Sequence, residues 1–274
     1  MMFGLMKVFV PLFILAAILK STLAPAAVIF VGNKHSIGEY TTAGRTINRS
    51  LVSGLHLTFG LAVSGRDLFV ANENSGTIGE YTVAGRIINA ALISHLDGPA
   101  GIAVSGHELF VANYRADTIG EYTTSGRVIN PALISGLYGP LGITVSGNNL
   151  FVVNFGSGTV GEYTTAGRVI RTILITGLAG PDGIAVSGDH LFVVAGGAGT
   201  VGEYTIWGQA INTTLISGLR NPFGLALRGN KIFVADERTA GTVGEYTTSG
   251  RVINAALATE LNYPGFIAVS NLQR

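Results

Sequence analysis

The sequence predicts an all-β protein, a six-bladed β-propeller with four strands in each blade. Two observations support this prediction. The tripeptide Gly-Glu-Tyr begins at residues 38, 79, 120, 161, 202 and 244, which is a period of 41 residues with one step of 42. Each period contains four short apolar runs separated by turn residues, and the chain is rich in glycine, with 39. A repeat of about 40–45 residues with four strands is typical of propeller blades.

The N-terminal segment precedes the repeats and has the pattern of an export signal. Lys7 is followed by an apolar run over 8–19, and a polar stretch then leads to Ala24-Pro25-Ala26. This order is typical of a secretory signal peptide. The run is short for a membrane of about 30 Å of hydrocarbon, although an uncleaved anchor stays open as an alternative. We assign 1–26 to a signal peptide cleaved after Ala26, and we expect secretion to the periplasm or the extracellular space.

The four strands of a repeat are clearest in the copy that covers 142–175. The β-prone runs are 142–147, 150–154 and 159–164, followed by 167–170 with 174–175, and glycine, serine and asparagine separate them. β-Branched and aromatic residues favour strands, and the small polar residues favour turns. We therefore assign 27–274 to one propeller domain.

The two ends of the domain are predicted to share a blade. The first Gly-Glu-Tyr is preceded by a second-strand sequence at 29–33, with no first strand before it. The last repeat ends in a first-strand sequence at 266–270, with no second strand after it. Pairing these two runs would close the ring without leaving open sheet edges.

Side chains that recur in the blades are expected to support the scaffold, because a ligand site at the mouth of the channel rarely has sixfold symmetry. We expect the glutamates of the tripeptide to pair with arginines after the turn between the third and fourth strands. We expect the tyrosines to pack between blades, and the polar residues after the second strands to bond turn backbone. These sets are Glu39, Glu80, Glu121, Glu162, Glu203 and Glu245; Arg45, Arg86, Arg127, Arg168 and Arg251; Tyr40, Tyr81, Tyr122, Tyr163, Tyr204 and Tyr246; and Asn33, Asn72, Asn113, Asn154 and Asp236.

A family resemblance is visible in the fifth repeat. The run Pro181-Asp182-Gly183-Ile184-Ala185-Val186, followed by Leu191-Phe192-Val193 and Val201-Gly202-Glu203-Tyr204, resembles the NHL repeat. The repeats are also similar to the six-bladed propellers that include the SMP-30-like lactonases. The resemblance covers the domain and implies its architecture. It does not imply one activity, because this fold hosts binding modules, lyases and hydrolases.

In SMP-30-like lactonases, metal-binding asparagine and aspartate precede the first-strand glycine. The corresponding residues here are Phe59, Ala100, Leu141, Asp182, Phe223 and Gly265. Only Asp182 matches, whereas calcium takes about six to eight oxygen ligands. The resemblance therefore leaves, as an alternative, a hydrolase that depends on a divalent cation such as calcium and is centred on Asp182.

A recognition surface is predicted where the copies differ in sequence. It lies on the face of the ring at which the first strand of each blade begins and the second strand ends. Aromatic and arginine residues are typical anchors of such surfaces. Of the five histidines, only His35 and His56 are expected near this face, which disfavours a zinc lyase, since catalytic zinc usually has three protein ligands. The binding candidates are Phe59, Tyr114, Arg115, Asp182, Phe223, Asp236 and Arg238.

The composition narrows the class of partner. Without Lys7 and Lys20 of the signal segment the chain has 15 basic and 16 acidic residues, so no basic excess points to nucleic acid. The chain has no cysteine, which excludes disulfides and thiolate chemistry. The leading hypothesis is a monomeric, non-catalytic, cofactor-free module that binds a protein, peptide or glycan, with no membrane span after signal cleavage. The Asp182 hydrolase and a purely structural envelope or matrix protein are the alternatives.

Overall fold

The computed structural model of the protein describes residues 27–237 and 240–270. In this part of the chain, 24 strands form six sheets of four strands. All neighbouring strands are antiparallel, which confirms the predicted six-bladed all-β propeller. The proposed signal peptide, 1–26, lies outside the described residues. No helix among the described residues is long and apolar enough to cross a membrane.

The blades are numbered along the chain, and each is given from its inner strand outward. Blade 1 has β24 (Ile267–Ser270), β1 (Val28–Asn33), β2 (Ser36–Thr41) and β3 (Thr46–Ser53). Blade 2 has β4 (Thr58–Ser64), β5 (Asp67–Asn72), β6 (Thr77–Thr82) and β7 (Ile87–Ile93). Blade 3 has β8 (Pro99–Ser105), β9 (Glu108–Asn113), β10 (Thr118–Thr123) and β11 (Val128–Ile134).

The second half of the ring repeats this plan. Blade 4 has β12 (Pro140–Ser146), β13 (Asn149–Asn154), β14 (Thr159–Thr164) and β15 (Val169–Ile175). Blade 5 has β16 (Pro181–Ser187), β17 (His190–Ala195), β18 (Thr200–Thr205) and β19 (Ala210–Ile216). Blade 6 has β20 (Pro222–Arg228), β21 (Lys231–Asp236), β22 (Gly241–Thr247) and β23 (Val252–Leu261). Single turns of 3-10 helix follow β13 (Phe155–Ser157) and β17 (Gly196–Ala198).

Blade 1 is assembled from both ends of the domain. β1 pairs antiparallel with β24, so that Val28 faces Ser270 and Val31 faces Ile267. The inner strands contact one another in the cyclic order β4, β8, β12, β16, β20, β24 and back to β4. The predicted closure by the two terminal runs is therefore confirmed.

The apolar core consists of six clusters, each between two neighbouring blades. Between blades 3 and 4, for example, Phe110 and Ile119 pack with Leu150 and Tyr163. Each of the six repeated tyrosines lies in one of these clusters, which confirms that they pack between blades. Since a buried aromatic side chain stabilises a fold by about 2–3 kcal/mol, the blades depend on one another for stability.

The repeated glutamates have different partners from those predicted. Glu203 bonds His190 at 2.7 Å, and Glu245 forms an ion pair with Lys231. Both partners are the first residue of a second strand, on the diagonal from the glutamate, where a long side chain reaches across an antiparallel pair. The predicted arginines Arg45, Arg86, Arg127, Arg168 and Arg251 make no ion pair within the described residues. Their backbone N–H groups instead donate to a threonine Oγ1 in the same turn.

Near the axis, neighbouring inner strands approach one another at a glycine. A Cβ added to Gly142 would lie 2.4 Å from the carbonyl oxygen of Asp182 in the next blade. At the five equivalent glycines this distance is between 2.1 and 2.7 Å, and the oxygen always belongs to the next inner strand. Only a residue without a side chain allows this approach. The glycines are Gly60, Gly101, Gly142, Gly183 and Gly224.

We expect Gly142→Ala to destabilise the ring by about 3 kcal/mol, because the added methyl group must push two backbones apart. The matched control is Gly65→Ala in an outlying turn, where a Cβ meets nothing within 4 Å and only the left-handed backbone, with φ of +57°, opposes the change. That control is expected to cost about 1 kcal/mol. Urea unfolding of both variants measures the difference, and equal losses would contradict the close-approach explanation.

Candidate functional site

A cavity of about 230 Å³, here called the mouth cavity, opens at the face where the inner strands begin. Blades 2 to 6 supply its walls from two equivalent sets of positions. One set is the second residue of each inner strand, and the other is the residue after the second strand. The lining residues are Phe59, Ala100, Leu141, Asp182 and Phe223 from the first set, and Glu73, Tyr114 and Phe155 from the second.

A bulge at the start of each inner strand sets the first group of positions. In blade 5, Pro181 pairs with Ala195 and Ile184 pairs with Val193, so two residues of β16 oppose one residue of β17. The same interruption occurs in blades 2, 3, 4 and 6. Bulges bend a strand and change the direction of its side chains. Phe59, Asp182 and Phe223 occupy the bulge and line the cavity.

A second cavity, of about 200 Å³, lies beside the first and shares Phe59 and Phe223 with it. The rings of these two residues meet edge to face, with centroids 5.4 Å apart and planes at 72°. Phe223 also meets Phe266 edge to face at 5.5 Å. The mouth face therefore holds two side-chain-sized hollows with an aromatic wall between them. The second cavity is completed by Lys34, Leu57, Thr58, Glu237, Tyr263, Pro264 and Gly265.

Opposite this wall, Tyr114 and Phe155 form another aromatic pair of the mouth cavity. Their centroids are 6.5 Å apart, with planes at 63°. Phe155 begins a 3-10 turn and is 41% exposed. The mouth cavity is thus predominantly apolar, and the carboxyl groups among its described lining residues are those of Asp182 and Glu73.

Asp182 is a buried carboxyl without a counter-charge. It is 6% exposed, and the backbone N–H of Gly196, which donates to the carbonyl oxygen of Gly180 at 2.8 Å, also interacts with its carboxyl group. It forms no ion pair within the described residues. Burial raises the pKa of Asp182 from 3.8 to about 7, and the hydrogen bond from Gly196 opposes this shift in part. The carboxyl therefore titrates near neutral pH.

Glu73 differs from Asp182 because it has a counter-ion. Its Oε1 lies 2.6 Å from Nη2 of Arg115, whose side chain is half-exposed at the rim. The arginine predicted as an anchor thus contacts the cavity through Glu73 and does not line it. Exposed pairs of this kind contribute at most about 1 kcal/mol to stability. Of the two carboxylates, Asp182 is the one without an ion-pair partner in the part of the chain that the structure describes.

Blade 5 departs from the repeat at positions that lie against Asp182. Where other blades have asparagine or aspartate at the end of the second strand, blade 5 has Ala195. The next residue, which is lysine, glutamate, tyrosine or phenylalanine elsewhere, is Gly196. A Cβ at Gly196 would lie 2.3 Å from Oδ2 of Asp182. A larger residue at position 196 would therefore displace the carboxyl group from the position that it occupies here.

Asp236 is not among the residues that line either cavity, and its role as a binding residue stays a prediction. It is 2% exposed and accepts hydrogen bonds from the backbone N–H groups of Arg220 and Asn221 at 3.1 and 2.9 Å. Its predicted bonding to turn backbone is thereby confirmed. The equivalent asparagines differ, because the Oδ1 atoms of Asn33, Asn72, Asn113 and Asn154 accept no hydrogen bond within the described residues. Arg238, the last binding candidate, lies outside the described residues.

Apart from Glu73, the described side chains that line the cavity with Asp182 are aliphatic or aromatic. No group of three or more histidine, cysteine, aspartate or glutamate residues in the described part of the chain is arranged to hold a metal ion. None of the five histidines lines either cavity. His35 bonds the carbonyl oxygen of Leu55 at 3.2 Å, and His190 bonds Glu203.

A protein-family model described as "Virginiamycin B lyase family" matches residues 24–246. The chain belongs to the virginiamycin B lyase family. The expectation of a six-bladed propeller is confirmed, and the resemblance to the NHL repeat in particular is not confirmed. Among curated proteins no match was found.

Solved structures share this fold at low sequence identity. A chain of a nidogen/laminin complex has a TM-score of 0.76 at 17% identity, covering 89% of this chain and 98% of that one. A catalytically inactive virginiamycin B lyase from Staphylococcus aureus with quinupristin has a TM-score of 0.59 at 24% identity, covering 74% and 71%. A protein of unknown function from Bacteroides caccae has a TM-score of 0.68 at 15% identity, covering 89% and 99%. At these identities the likeness concerns the fold.

The buried carboxyl predicts a pH-dependent stability difference between the wild type and Asp182→Asn. The folded state keeps the proton of Asp182 up to about pH 7, whereas the unfolded chain releases it near pH 3.8. The stability that this carboxyl contributes is therefore present below about pH 4 and falls as the pH rises to about 7. At pH 8 we expect the variant to be more stable by at most about 4 kcal/mol.

Urea unfolding at several pH values between 4 and 8 measures this difference. Asp189→Asn, at an exposed aspartate on the opposite face of blade 5, is the matched control and should show no such trend. A constant difference between the wild type and Asp182→Asn across this range would show that burial does not shift the pKa of Asp182.

Proposed function

We propose that this protein is an exported, non-catalytic binding module whose mouth face takes up apolar side chains of a protein or peptide. The observation that carries the proposal is the pair of aromatic-lined hollows on either side of Phe59 and Phe223. The export pattern of residues 1–26 supports an extracellular or periplasmic partner. The proposal needs no cofactor.

The size of the hollows favours side chains over a larger small molecule. Sites for drug-sized ligands have volumes of about 300–1,000 Å³, whereas the two cavities are about 230 and 200 Å³. Two adjacent hollows with a common wall suit two side chains of one loop or extended segment. Aromatic residues in partly enclosed pockets commonly supply most of the energy of such interfaces.

The similar structures are compatible with this function. One similar propeller chain comes from a nidogen/laminin complex, in which two proteins are assembled. Another, the virginiamycin B lyase with quinupristin, is made catalytically inactive by replacing one histidine with alanine. In the present chain no histidine lines either cavity, so the described mouth face supports binding better than it supports lyase chemistry.

A hydrolase centred on Asp182 is the second candidate, because strongly perturbed carboxyl groups in clefts are often catalytic. The burial of Asp182 and its raised pKa favour this reading. The aliphatic and aromatic residues at the equivalent positions, Ala100, Leu141 and Phe223, do not supply the further ligands that a metal-dependent reaction needs. Elemental analysis that finds bound calcium, zinc or magnesium, together with turnover of a lactone, would favour the hydrolase over the binding module.

Selection from a phage-displayed peptide library on the purified domain tests the binding proposal. We expect enrichment of peptides with aromatic or aliphatic residues. Phe223→Ala should weaken the selected peptides by about tenfold or more, because the variant removes the wall between the hollows. Arg115→Ala should have a smaller effect, since Arg115 lies outside the cavity.

Trp207→Ala is the matched control for an aromatic truncation. Trp207 is 58% exposed in the turn between β18 and β19, on the opposite face of the ring. Its removal should leave peptide affinity unchanged in a fluorescence polarisation titration. Failure to enrich any peptide, or equal losses in the two variants, would contradict binding at the mouth face.

A further inference from the structure

We propose that the mouth cavity binds the ammonium group of an organic cation, with the Asp182 carboxylate as counter-ion and the surrounding rings as walls. The ligand class is an ammonium on an apolar stem, as in a lysine side chain or a free alkylamine. This inference deepens the proposed function and rests on it for the location of the site.

The Asp182 carboxylate has no counter-ion among the described residues. An ionised carboxylate buried without a partner is costly, and buried charges are normally paired. Asp182 is 94% buried, receives one backbone N–H, and has no cation beside it in the described residues. Glu73, the other carboxylate of the cavity, is already paired with Arg115. No described residue supplies a cation to the Asp182 carboxylate, and a bound ammonium group would supply one.

The lining of the mouth cavity is rich in aromatic rings. Aromatic rings attract organic cations within about 6 Å of their centroids. Phe59, Phe223, Tyr114 and Phe155 line the same cavity as Asp182. Apolar walls suit the stem of an alkylammonium ion. The neighbouring cavity contains such a contact within the chain itself, since Nζ of Lys34 lies 5.2 Å from the ring centroid of Tyr263.

Blade 5 differs from the other blades at two positions that lie against each other. Asp182 occupies a position that is apolar or glycine in the other blades, and Gly196 removes the Cβ that would meet its Oδ2. An aspartate at the position of Asp182 in another blade would face the larger residue that follows the second strand there. The combination of Asp182 and Gly196 gives the carboxylate room to face the cavity, as a binding site requires.

Isothermal titration of the domain at pH 8 with n-pentylammonium and with 1-pentanol tests the charge requirement. The two probes have the same stem, and the amine stays charged throughout the range used because alkylamines titrate near pH 10.4, as lysine does. We expect the ammonium to bind at least tenfold more tightly than the alcohol. Asp182→Asn should abolish this preference, whereas Asp189→Asn should retain it.

The pH dependence of ammonium affinity shows whether the Asp182 carboxylate acts as the counter-ion of the ligand or only supports the fold. With the pKa of Asp182 at about 7, the ionised fraction falls about tenfold between pH 8 and pH 6, and ammonium affinity should fall with it. Asp182→Asn should show no such fall. Equal binding of the ammonium and the alcohol, or an unchanged preference in Asp182→Asn, would overturn the inference.

Two peptide probes identify the source of the cation. Acetyl-Gly-Lys-Gly-amide is compared with the same peptide carrying acetyl-lysine, which keeps the stem and removes the charge. Preferential binding of the lysine peptide supports a protein ligand, while binding of pentylammonium alone supports a free amine; both support the ammonium site. If selected peptides depend on Phe223 but neither charged probe is preferred, the proposed function stands and this inference fails.

Discussion

The ring depends on how closely the inner strands approach one another at the axis. Each of the five inner-strand glycines from Gly60 to Gly224 lies where a Cβ would overlap the carbonyl oxygen of the next blade. This spacing brings neighbouring sheets near enough for one continuous set of apolar clusters to form between them. Every blade packs against a neighbour on each of its two sides. The terminal strands β1 and β24 are therefore buried in the ring only when they pair with each other and complete blade 1.

The same constraint determines where function can reside. The residue before each axial glycine lies in a bulge, where the regular pairing of the two strands is interrupted. Its side chain lines the mouth cavity. Substitution at this position changes the surface of the cavity and leaves the axial contact intact. The scaffold can therefore keep its glycines and tyrosines while the five lining positions carry residues as different as alanine, leucine, phenylalanine and aspartate.

Electrostatics then distinguish one blade from the others. In an apolar cavity a carboxylate has few stabilising contacts, and the pKa of Asp182 rises to about 7 as a result. Glu73 lies in the same cavity but is compensated by Arg115. The mouth cavity is thus mostly apolar and, among the described residues, holds one carboxyl group without an ion-pair partner, a combination that adds charge to shape in the choice of a partner.

The sequence by itself determined the blade number, the strand order and the shared blade, because a fixed period places four strands in each copy and leaves complementary runs at the two ends. It also marked Phe59, Tyr114, Asp182 and Phe223 as places where the copies differ, and all four line the mouth cavity. Only the tertiary structure decided how side chains from different strands meet. It gave Glu203 and Glu245 partners on the diagonal, Asp236 backbone partners and Arg115 a partner in Glu73, because distances across a sheet or between blades do not follow from spacing along the chain. It also showed that Gly196 makes room for Asp182, a relation between residues of two strands that no repeat pattern contains.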